Sequence, residues 1–380
     1  MKPSHEILVL AARRLPQGKF GGGLAGLGAV ALGTAAVSGL LADQVLPRPG
    51  RVIWGMARSH TQGMNPARTI ALNSGLACSC TALTVNMACG SSLQATILAA
   101  QTLSLGEPLP VLAGGSEAMS DTPFLLPGLR WGYRLGHRRV PDVMHQDGLR
   151  CPVTGLLMGE IIEKMVSRLG ITRAESDAYA LQSHQRAAAA GFSEELIPHP
   201  RLERDECLRP GETLASLAAL QPVFDSAGQV TAGNASALAD GAAALLLARR
   251  DQAEAAKPLG RILGWAEVGL DPLDMGEGPV SAVRSLLQEF ALTVPDIDLW
   301  ELNEAFAAQV LGCARQLRLP MGRLNVAGGG ISLGHPIGAS GARIVLTLLH
   351  QLRKKSGRFG VATMGIGGGL GQAMLVECLG

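Results

Sequence analysis

The sequence predicts a layered α/β protein in which helices cover a mainly parallel sheet. Two observations support this fold class: short apolar runs alternate with segments of helical spacing along most of the 380 residues, and the two ends of the chain follow one plan. A strand, a turn of small residues and a helix over 85–105 have a counterpart over 325–352. GGSEAMS after Val111 likewise has a counterpart in GIGGGLG after Val361. If the two halves face each other across one cleft, these turns meet there.

Each element follows from a local pattern of apolar spacing and turn residues. Strands are predicted over 6–12, 52–56, 82–87, 111–113, 242–248, 261–268 and 299–302. Helices are predicted over 29–45, 65–75, 173–190 and 281–290, with a further helix beginning after Gly90. The run 82–87 is predicted as a buried strand. Between 120 and 236, Pro, Arg and polar residues increase, so this segment is predicted to be a large excursion from the sheet with one clear helix.

Composition excludes several classes of protein. With 47% hydrophobic and 17% charged residues, the chain must bury much of its surface, and a net charge of +2 gives no nucleic-acid signature. Seven scattered cysteines fit a reducing compartment, so a cytoplasmic protein is expected. The uncharged segment 20–42 is mostly Gly and Ala, which favours a glycine loop and a buried helix over a membrane span. The Cys78 and Cys80 pair has no second pair at zinc spacing, so no metal is expected.

Cys89 lies where a predicted strand gives way to a helix, in TVNMACGSSLQATILAAQ over 84–101. A helix N-terminus presents free N–H groups and a partial positive charge, which favour a thiolate and lower its pKa. Cys89 is therefore a candidate nucleophile with a lowered pKa. Free cysteine is also among the most buried residue types, so a structural thiol is the alternative at this position.

Two further stretches carry polar side chains at predicted turns. His335 precedes Pro336 in NVAGGGISLGHPIGASGAR over 325–343, and it is either a simple helix start or a group that donates to an oxyanion or exchanges protons. Asn303 in WELNEAFAAQ over 300–309 is either an N-cap or, with His335, the holder of one water or carbonyl oxygen. Glu304 is interpreted as a possible first-turn helix charge.

The motifs VNMACGSS, TAGNAS, NEAF, GGGISLGHPIGASGAR and GIGGGLG occur in this order, and the chain resembles the thiolase family over nearly its whole length. The resemblance implies a thiolase fold, with two similar α/β halves in a layered α-β-α-β-α core. Residues 1–117 and 237–258 would form the N-terminal half and 259–380 the C-terminal half. Residues 118–236 would form an inserted loop domain that covers coenzyme A. A homodimer or homotetramer is also implied.

The resemblance also implies the roles of particular residues. Cys89 matches the nucleophile that accepts the acyl group, and Asn303 with His335 matches the pair that forms one oxyanion hole with a water. The backbone N–H groups of Cys89 and Gly367 match the second oxyanion hole. Acyl-CoA and CoA are implied as substrates, with no tightly bound cofactor. The positions that match coenzyme A contacts are Ser236, Arg209 and Met158.

Two positions depart from the family pattern. Gly365 stands where thiolases have a second cysteine, which moves the α-proton in condensation and protonates the leaving carbanion in cleavage. Such general acid-base help is worth about a hundred- to ten-thousand-fold in rate, so a weakened or specialised reaction is expected. Cys378 lies beyond the glycine turn and does not replace the missing cysteine. Leu157 stands where many biosynthetic thiolases have histidine, and Cys151 is interpreted as an incidental buried thiol or a compensating group.

Three functions are compatible with these features. The preferred one is a thiolase of the acetyl-CoA acetyltransferase type, which acts through a Cys89 thioester by Claisen condensation or by thiolysis of 3-oxoacyl-CoA. The second is a decarboxylative condensing enzyme that uses Cys89, His335 and Asn303, for which Gly365 is no handicap. The third is a largely non-catalytic CoA-binding subunit that assembles with a protein partner.

Overall fold

Every strand that the structure describes joins one sheet. The structure is a computed structural model, and it describes residues 1–42, 46–253 and 257–379. The strands of this part of the chain are β1 Ile7–Arg14, β2 Gly18–Lys19, β3 Arg51–Gly55, β4 Thr81–Val85, β5 Val111–Ala118, β6 Ala239–Arg249, β7 Gly260–Gly269, β8 Leu299–Leu302, β9 Phe359–Ile366 and β10 Leu370–Cys378. Its α-helices are α1 Ala29–Ala42, α2 Pro66–Asn73, α3 Ser91–Ser104, α4 Met158–Leu169, α5 Arg173–Ala190, α6 Leu214–Ala218, α7 Gly278–Phe290, α8 Ala307–Leu317, α9 Gly330–Leu333 and α10 Ile337–Lys354.

The strand order repeats one plan in two halves. The ten-stranded sheet has the order β4-β3-β5-β6-β1-β7-β10-β9-β8, with β2 beside β6. The first strands of the halves, β1 and β7, pair antiparallel at the centre, and from there the order runs outward in the same way on both sides. The position that β4 occupies in the first half is reduced in the second to one bridge between Trp300 and Leu324. The predicted likeness of the two halves is therefore confirmed.

The prediction of a mainly parallel sheet is wrong. Parallel pairing occurs at β3–β4, β3–β5 and β8–β9, whereas the remaining pairs are antiparallel. The alternation of strands and helices identifies the crossover connections, which produce parallel pairs. The alternation does not reveal that the last strand of each half runs antiparallel to the strand before it. Strand β10 follows β9 through a tight turn, and β6 follows β5 after the long excursion.

Five layers result from this arrangement. Helices α3 and α10 lie between the two half-sheets, and their apolar residues share one core with strands of both halves. Helices α1 and α2 cover the outer face of the first half, and α7 and α8 cover that of the second. The two central helices touch at Gly341, where a Cβ atom would lie 2.4 Å from the backbone N of Leu93. The small residues at the start of α10 therefore allow α10 to pack closely against the start of α3.

Most other predicted elements are found, and the structure differs from the prediction in two respects. The helix over 173–190 and the strand over 299–302 match α5 and β8, and the predicted end of the first helix at Val45 lies outside the described residues. The strand over 82–87 is not buried: β4 is an edge strand, and Leu83 is 50% exposed. Helices α4 and α6 in the excursion were not predicted.

The excursion contributes no strand to the sheet within the described residues 119–238. Its helices α4 and α5 contact α8 and α9, and thus lie against the second half. The division into two halves and an inserted domain stays a prediction at its stated boundaries. In the part of the chain that is described, no helix is long and apolar enough to cross a membrane.

Candidate active site

Cys89 lies in a tight turn that side-chain hydrogen bonds hold in place. Ala88 has a φ of 46°, and the Oδ1 of Asn86 accepts its N–H at 2.9 Å. On the other side, the Oγ of Ser91 accepts the N–H of Met87 at 2.9 Å and donates to the Ala88 carbonyl at 2.7 Å. Helix α3 begins at Ser91, as predicted. The turn therefore presents Cys89 just before the first turn of a buried helix.

This turn packs directly against the second half of the molecule. A Cβ atom at Gly90 would lie 2.4 Å from Cδ1 of Ile366 and 2.6 Å from Oε1 of Gln372, so a larger residue there would displace both side chains. The backbone N–H groups of Gly367 and of Cys89 itself lie near enough to the Cys89 thiol to lower its pKa. A backbone N–H group from each half therefore lies beside the Cys89 thiol.

Burial raises the pKa of Cys89 above its ordinary value. Loss of solvation is the largest cause, and it outweighs the Gly367 N–H group, the Arg58 cation and the Cys89 N–H group, which lower the pKa. The nearby Glu117 carboxylate raises it further. The prediction of a lowered pKa is therefore wrong. The loss of solvation destabilises the thiolate by more than the few local donors stabilise it.

Alkylation of Cys89 by iodoacetamide is expected to be slow at pH 7 and to accelerate about tenfold per pH unit through pH 9, because only the thiolate reacts. The sign follows from the raised pKa: the thiol stays protonated over the neutral range. Peptide mass spectrometry of samples quenched between pH 6 and 10 measures this rate. A plateau in the rate already below pH 8 would contradict the raised pKa.

His335 is held as a neutral imidazole. Its Nδ1 lies 2.5 Å from the Oγ of Ser340, which donates in turn to the Pro336 carbonyl at 3.0 Å. The serine proton is thereby used, so Nδ1 carries the imidazole hydrogen and Nε2 keeps a lone pair. Loss of solvation, followed by the Arg343 and Arg58 cations, lowers the pKa of His335 to about 3. At neutral pH the imidazole is therefore unprotonated, and Nε2 keeps its lone pair.

Asn303 approaches this nitrogen. Its Nδ2 lies 3.5 Å from Nε2 of His335, and its Oδ1 is buried without a hydrogen-bond partner among the described residues. The N-cap interpretation of Asn303 is wrong, because α8 begins at Ala307 and its N-cap is Phe306. The backbone N–H of Asn303 instead donates to the Thr363 carbonyl at 3.0 Å. Asn303 is thus fixed by the sheet, with its amide beside His335.

Glu304 is a buried anchor rather than an exposed charge in the first turn of a helix. Its carboxylate accepts hydrogen bonds from the hydroxyls of Tyr179 at 2.8 Å and Ser183 at 2.7 Å, and from the Ile331 N–H at 3.2 Å. Asn325 donates to it as well, at 3.2 Å. Burial and the adjacent carboxylate raise the pKa of Tyr179. The network joins α5, the end of β8 and the glycine stretch that leads to His335.

Comparison with known proteins identifies the family. The family profile described as Thiolase, N-terminal domain matches residues 7–251, and that described as Thiolase, C-terminal domain matches 256–378. The chain belongs to the thiolase family. An acetyl-CoA acetyltransferase of Chromobacterium violaceum is 44% identical over 98% of this chain and 99% of its own, and one of Escherichia coli is 43% identical over the same shares.

Solved thiolase structures share the fold. The crystal structure of human mitochondrial 3-ketoacyl-CoA thiolase in complex with CoA superimposes with a TM-score of 0.97 at 38% identity, over 100% of both chains. An acetyl-CoA acetyltransferase from Bacillus anthracis reaches a TM-score of 0.94, also at 38% identity and over 100% of both chains. The predictions of a thiolase fold and of a thiolase-type acyl-CoA C-acyltransferase are confirmed.

Gly365 occupies a position on β9 that has no room for a side chain. A Cβ atom there would lie 2.5 Å from Nε2 of Gln309 and 2.6 Å from the Met275 carbonyl oxygen. Its partner on β10, Gly371, is equally crowded, because a Cβ atom at that position would lie 2.2 Å from the Gly278 carbonyl oxygen. The start of α7 therefore rests directly on these two glycines.

Replacement of Gly365 by cysteine is expected to lower the free energy of unfolding by about 1–3 kcal/mol, because an overpacked core must displace a backbone carbonyl. For the same reason the variant is not expected to gain activity. Urea unfolding under reducing conditions measures the difference, with Gly322→Cys as the control, since a Cβ at Gly322 meets nothing within 4 Å. A Gly365→Cys variant of unchanged stability and increased thiolysis would contradict this result.

An apolar wall lies on the other side of Gly367. The sulfur of Met158 would be 3.3 Å from a Cβ atom at Gly367, and Phe224 packs edge-on against Phe306 with ring centres 6.4 Å apart. Ser236 lies next to Ala305, the residue before Phe306. The N–H of Ser236 donates to the Ala305 carbonyl at 2.9 Å, and its hydroxyl makes no hydrogen bond with a described residue. Met158 therefore lies beside Gly367, whereas Ser236 lies beside Ala305.

Arg209 is engaged with neighbours in its own loop. Its Nη1 pairs with Glu212 at 2.8 Å, and its Nη2 lies 3.2 Å from Nε2 of His184. Burial, together with the Arg209 cation, lowers the pKa of His184 to about 4. The arginine side chain remains 43% exposed. Its positive charge is already paired with the Glu212 carboxylate.

Sequence reasoning missed two charged residues beside Cys89. The carboxylate of Glu117 accepts the backbone N–H groups of Ala57 at 3.1 Å, Arg58 at 3.2 Å and Gly338 at 2.9 Å, and so ties β5 to the head of α10. An acidic residue in the buried run GGSEAMS was the available signal for Glu117. Arg58 had no such signal. Within the described residues, no group of three or more His, Cys, Asp or Glu side chains is arranged to hold a metal ion.

Proposed function

We propose that this thiolase-family enzyme transfers acyl groups between coenzyme A thioesters through a thioester on Cys89. The observation that carries the proposal is the packing of the Cys89 turn against Ile366 and Gln372 of the second half, which brings the Gly367 N–H beside the Cys89 thiol. Asn303 and His335 supply a second polar pair. The names of the relatives and the CoA complex of the human thiolase support CoA-linked substrates, and no tightly bound cofactor is needed.

The resting pair is a neutral thiol and a neutral imidazole, since the pKa of Cys89 is raised and that of His335 is lowered. In thiolysis, Nε2 of His335 takes the thiol proton as Sγ attacks the C3 carbonyl of a 3-oxoacyl-CoA. Gly367 N–H and Cys89 N–H, or Asn303 Nδ2, stabilise the oxyanion. The C2–C3 bond then breaks, leaving an acyl group on Cys89 and a carbanion on the departing thioester.

The departing carbanion needs a proton, and Gly365 has none to give. We propose that the imidazolium of His335 returns the proton it took, which restores its neutral form and completes the release of acetyl-CoA. The thiol of free CoA next attacks the Cys89 thioester, and its proton passes to the Cys89 sulfur as the new acyl-CoA leaves. Condensation is the reverse sequence. One base thus serves both half-reactions, which supports a weakened or specialised thiolase.

The test measures two reactions and the CoA binding of the full chain. Acetyl-CoA formation from acetoacetyl-CoA and CoA is the expected result. Release of carbon dioxide from malonyl-CoA without thiolysis would replace the proposal with a decarboxylative condensing enzyme. Failure of both reactions, with CoA binding intact by calorimetry, would leave a non-catalytic CoA-binding subunit.

We propose that the chain assembles as a homodimer or homotetramer. Strand β4 is a sheet edge with exposed backbone, and identical edges can pair about a two-fold axis. Trp131 and Leu135, in the loop after β5, are 85% and 90% exposed and offer a second apolar surface. Light scattering during size exclusion is expected to give a mass of two or four chains. A monomer at micromolar concentration would contradict the proposal.

We also propose a cytoplasmic location. All seven cysteines are free thiols, and Cys78 is exposed. Exposed free thiols persist in reducing compartments and are oxidised elsewhere. Fractionation of the native source with an antibody against the chain tests this, and recovery outside the cytoplasm would contradict it.

A further inference from the structure

Arg58 is a buried cation whose hydrogen-bonding groups are unused. Its side chain is 3% exposed, and Nε, Nη1 and Nη2 are all buried without a hydrogen-bond partner among the described residues. The ion pair with Glu117 joins Nε to Oε1 at 3.8 Å, which is beyond hydrogen-bonding distance. Buried guanidinium groups are normally bound by carboxylates or carbonyls, because an unsatisfied buried charge is costly. The unused donors of Arg58 therefore indicate a missing partner.

The guanidinium lies beside the apolar surroundings of Cys89. Residue 57, which precedes it, belongs to a small core cluster with Met119, Met144 and Ile337, against which Cys89 and two leucines pack. Its Nη1 lies over Gly148, where a Cβ atom would be 2.0 Å away. Gly148 comes between Met144 and Leu149, and both of these residues contact the cluster. Arg58 thus lies at the edge of the apolar cluster against which the candidate nucleophile packs.

The acidic side chains nearby are already occupied. The oxygens of Glu117 accept three backbone N–H groups, so this carboxylate is held by the backbone rather than by the guanidinium. Asp147, on the turn that carries Gly148, pairs instead with His60 at 3.4 Å. Glu117 offsets the charge of Arg58 through space, but no described side chain satisfies Nη1 and Nη2. A ligand can supply what they lack.

We propose that Arg58 binds a free carboxylate at the far end of the acyl group, so that the preferred substrates are CoA thioesters of dicarboxylic acids. This inference rests on the proposed function, because it takes the acyl group to lie beside Cys89. A guanidinium binds a carboxylate through two parallel hydrogen bonds, whereas an acyl chain that ends in a methyl group leaves both donors unpaired. A site built for a polar group discriminates strongly against the analogue that lacks it.

The direct test measures binding without turnover. In a Cys89→Ala background, calorimetry compares 3-oxoadipyl-CoA with 3-oxohexanoyl-CoA, which have acyl chains of equal carbon number. The carboxylated ligand is expected to bind about 10- to 100-fold more tightly, the range for a charged buried hydrogen-bonded pair. Adding Arg58→Met is expected to abolish the difference, Arg58→Lys to keep part of it, and the exposed-loop control Arg130→Met to leave it unchanged.

Equal affinities of the two ligands in the Cys89→Ala background would overturn the inference. If Arg58→Met weakened the binding of both ligands by the same factor, the inference would also be overturned. Arg58 would then serve only to balance the charge of Glu117. A second measurement needs no variant: the unaltered enzyme, given an equal mixture of succinyl-CoA and butyryl-CoA, is expected to carry mainly succinyl on Cys89. Absence of any adduct would count against the proposed function, while the binding comparison would still decide the role of Arg58.

Discussion

Replacement of Cys89 by serine is expected to lower kcat for thiolysis of acetoacetyl-CoA by about 10⁴- to 10⁶-fold, the range seen when a covalent nucleophile is lost. Serine keeps the size and the turn, but its hydroxyl is far harder to ionise than a thiol. The two N–H groups would still bind an oxyanion, so some rate above background remains. A coupled assay of acetyl-CoA formation, with CoA affinity measured in parallel, separates this loss of chemistry from a loss of binding.

The matched controls are other thiols of the same chain. Cys313→Ser changes a fully buried thiol that donates to the Gly276 carbonyl at 3.2 Å, and Cys78→Ser changes an exposed one. Both variants are expected to keep kcat within about threefold of the unaltered enzyme, because neither thiol lies in the site. A difference of that size is within the range of ordinary point mutations. If Cys89→Ser lost less than about tenfold, an acyl-enzyme on Cys89 would be untenable.

His335→Gln is expected to lower kcat by about 10²- to 10⁴-fold, the usual worth of a general base. Glutamine can donate a hydrogen bond to an oxyanion but cannot carry a proton between Cys89 and the carbanion. In the unaltered enzyme the acid limb of the pH profile is expected near pH 3 rather than 6.5, because the pKa of His335 is lowered to about 3 and the base form persists above it. Stopped assays from pH 4 upward are expected to show no loss of rate around pH 6.5, and a decline centred there would contradict the lowered pKa.

Ser340→Ala supplies the control for His335. It removes the acceptor that fixes the hydrogen on Nδ1, so a loss of about tenfold is expected, smaller than that of His335→Gln. Because the imidazole remains, the rate of Ser340→Ala should still depend on pH in the same direction. A His335→Gln variant with nearly full activity would transfer the proton relay to another group.

The sequence pattern predicted elements well where local and tertiary preferences agreed. Helix α5 has a Thr172 cap that accepts the Glu175 N–H, and both of its ends were predicted. Strand β4 shows the opposite case: its β-branched residues fit a buried or an edge strand equally well, and only the sheet order makes it an edge. The antiparallel return of β6 could not be predicted, because its partner strand β5 lies more than a hundred residues earlier.

The residues of the candidate site could be predicted from the sequence, but their pKa shifts could not. Motif order located Cys89, Asn303 and His335, and the fold brings Asn303 and His335 within 3.5 Å. The sign of the Cys89 pKa shift depends on how much water the second half excludes, which no local pattern contains. Arg58 is tied to Glu117 across 59 residues of sequence, so its burial is a property of the fold alone.

Covalent catalysis by Cys89 is tested most directly by peptide mass spectrometry after brief incubation of the enzyme with acetoacetyl-CoA in the absence of free CoA. We expect an acetyl group on the peptide that contains Cys89, and its loss when CoA is added, with acetyl-CoA as the product. An acyl group on a different cysteine, or no acyl group despite measured CoA binding, would contradict the assignment of Cys89 as the nucleophile.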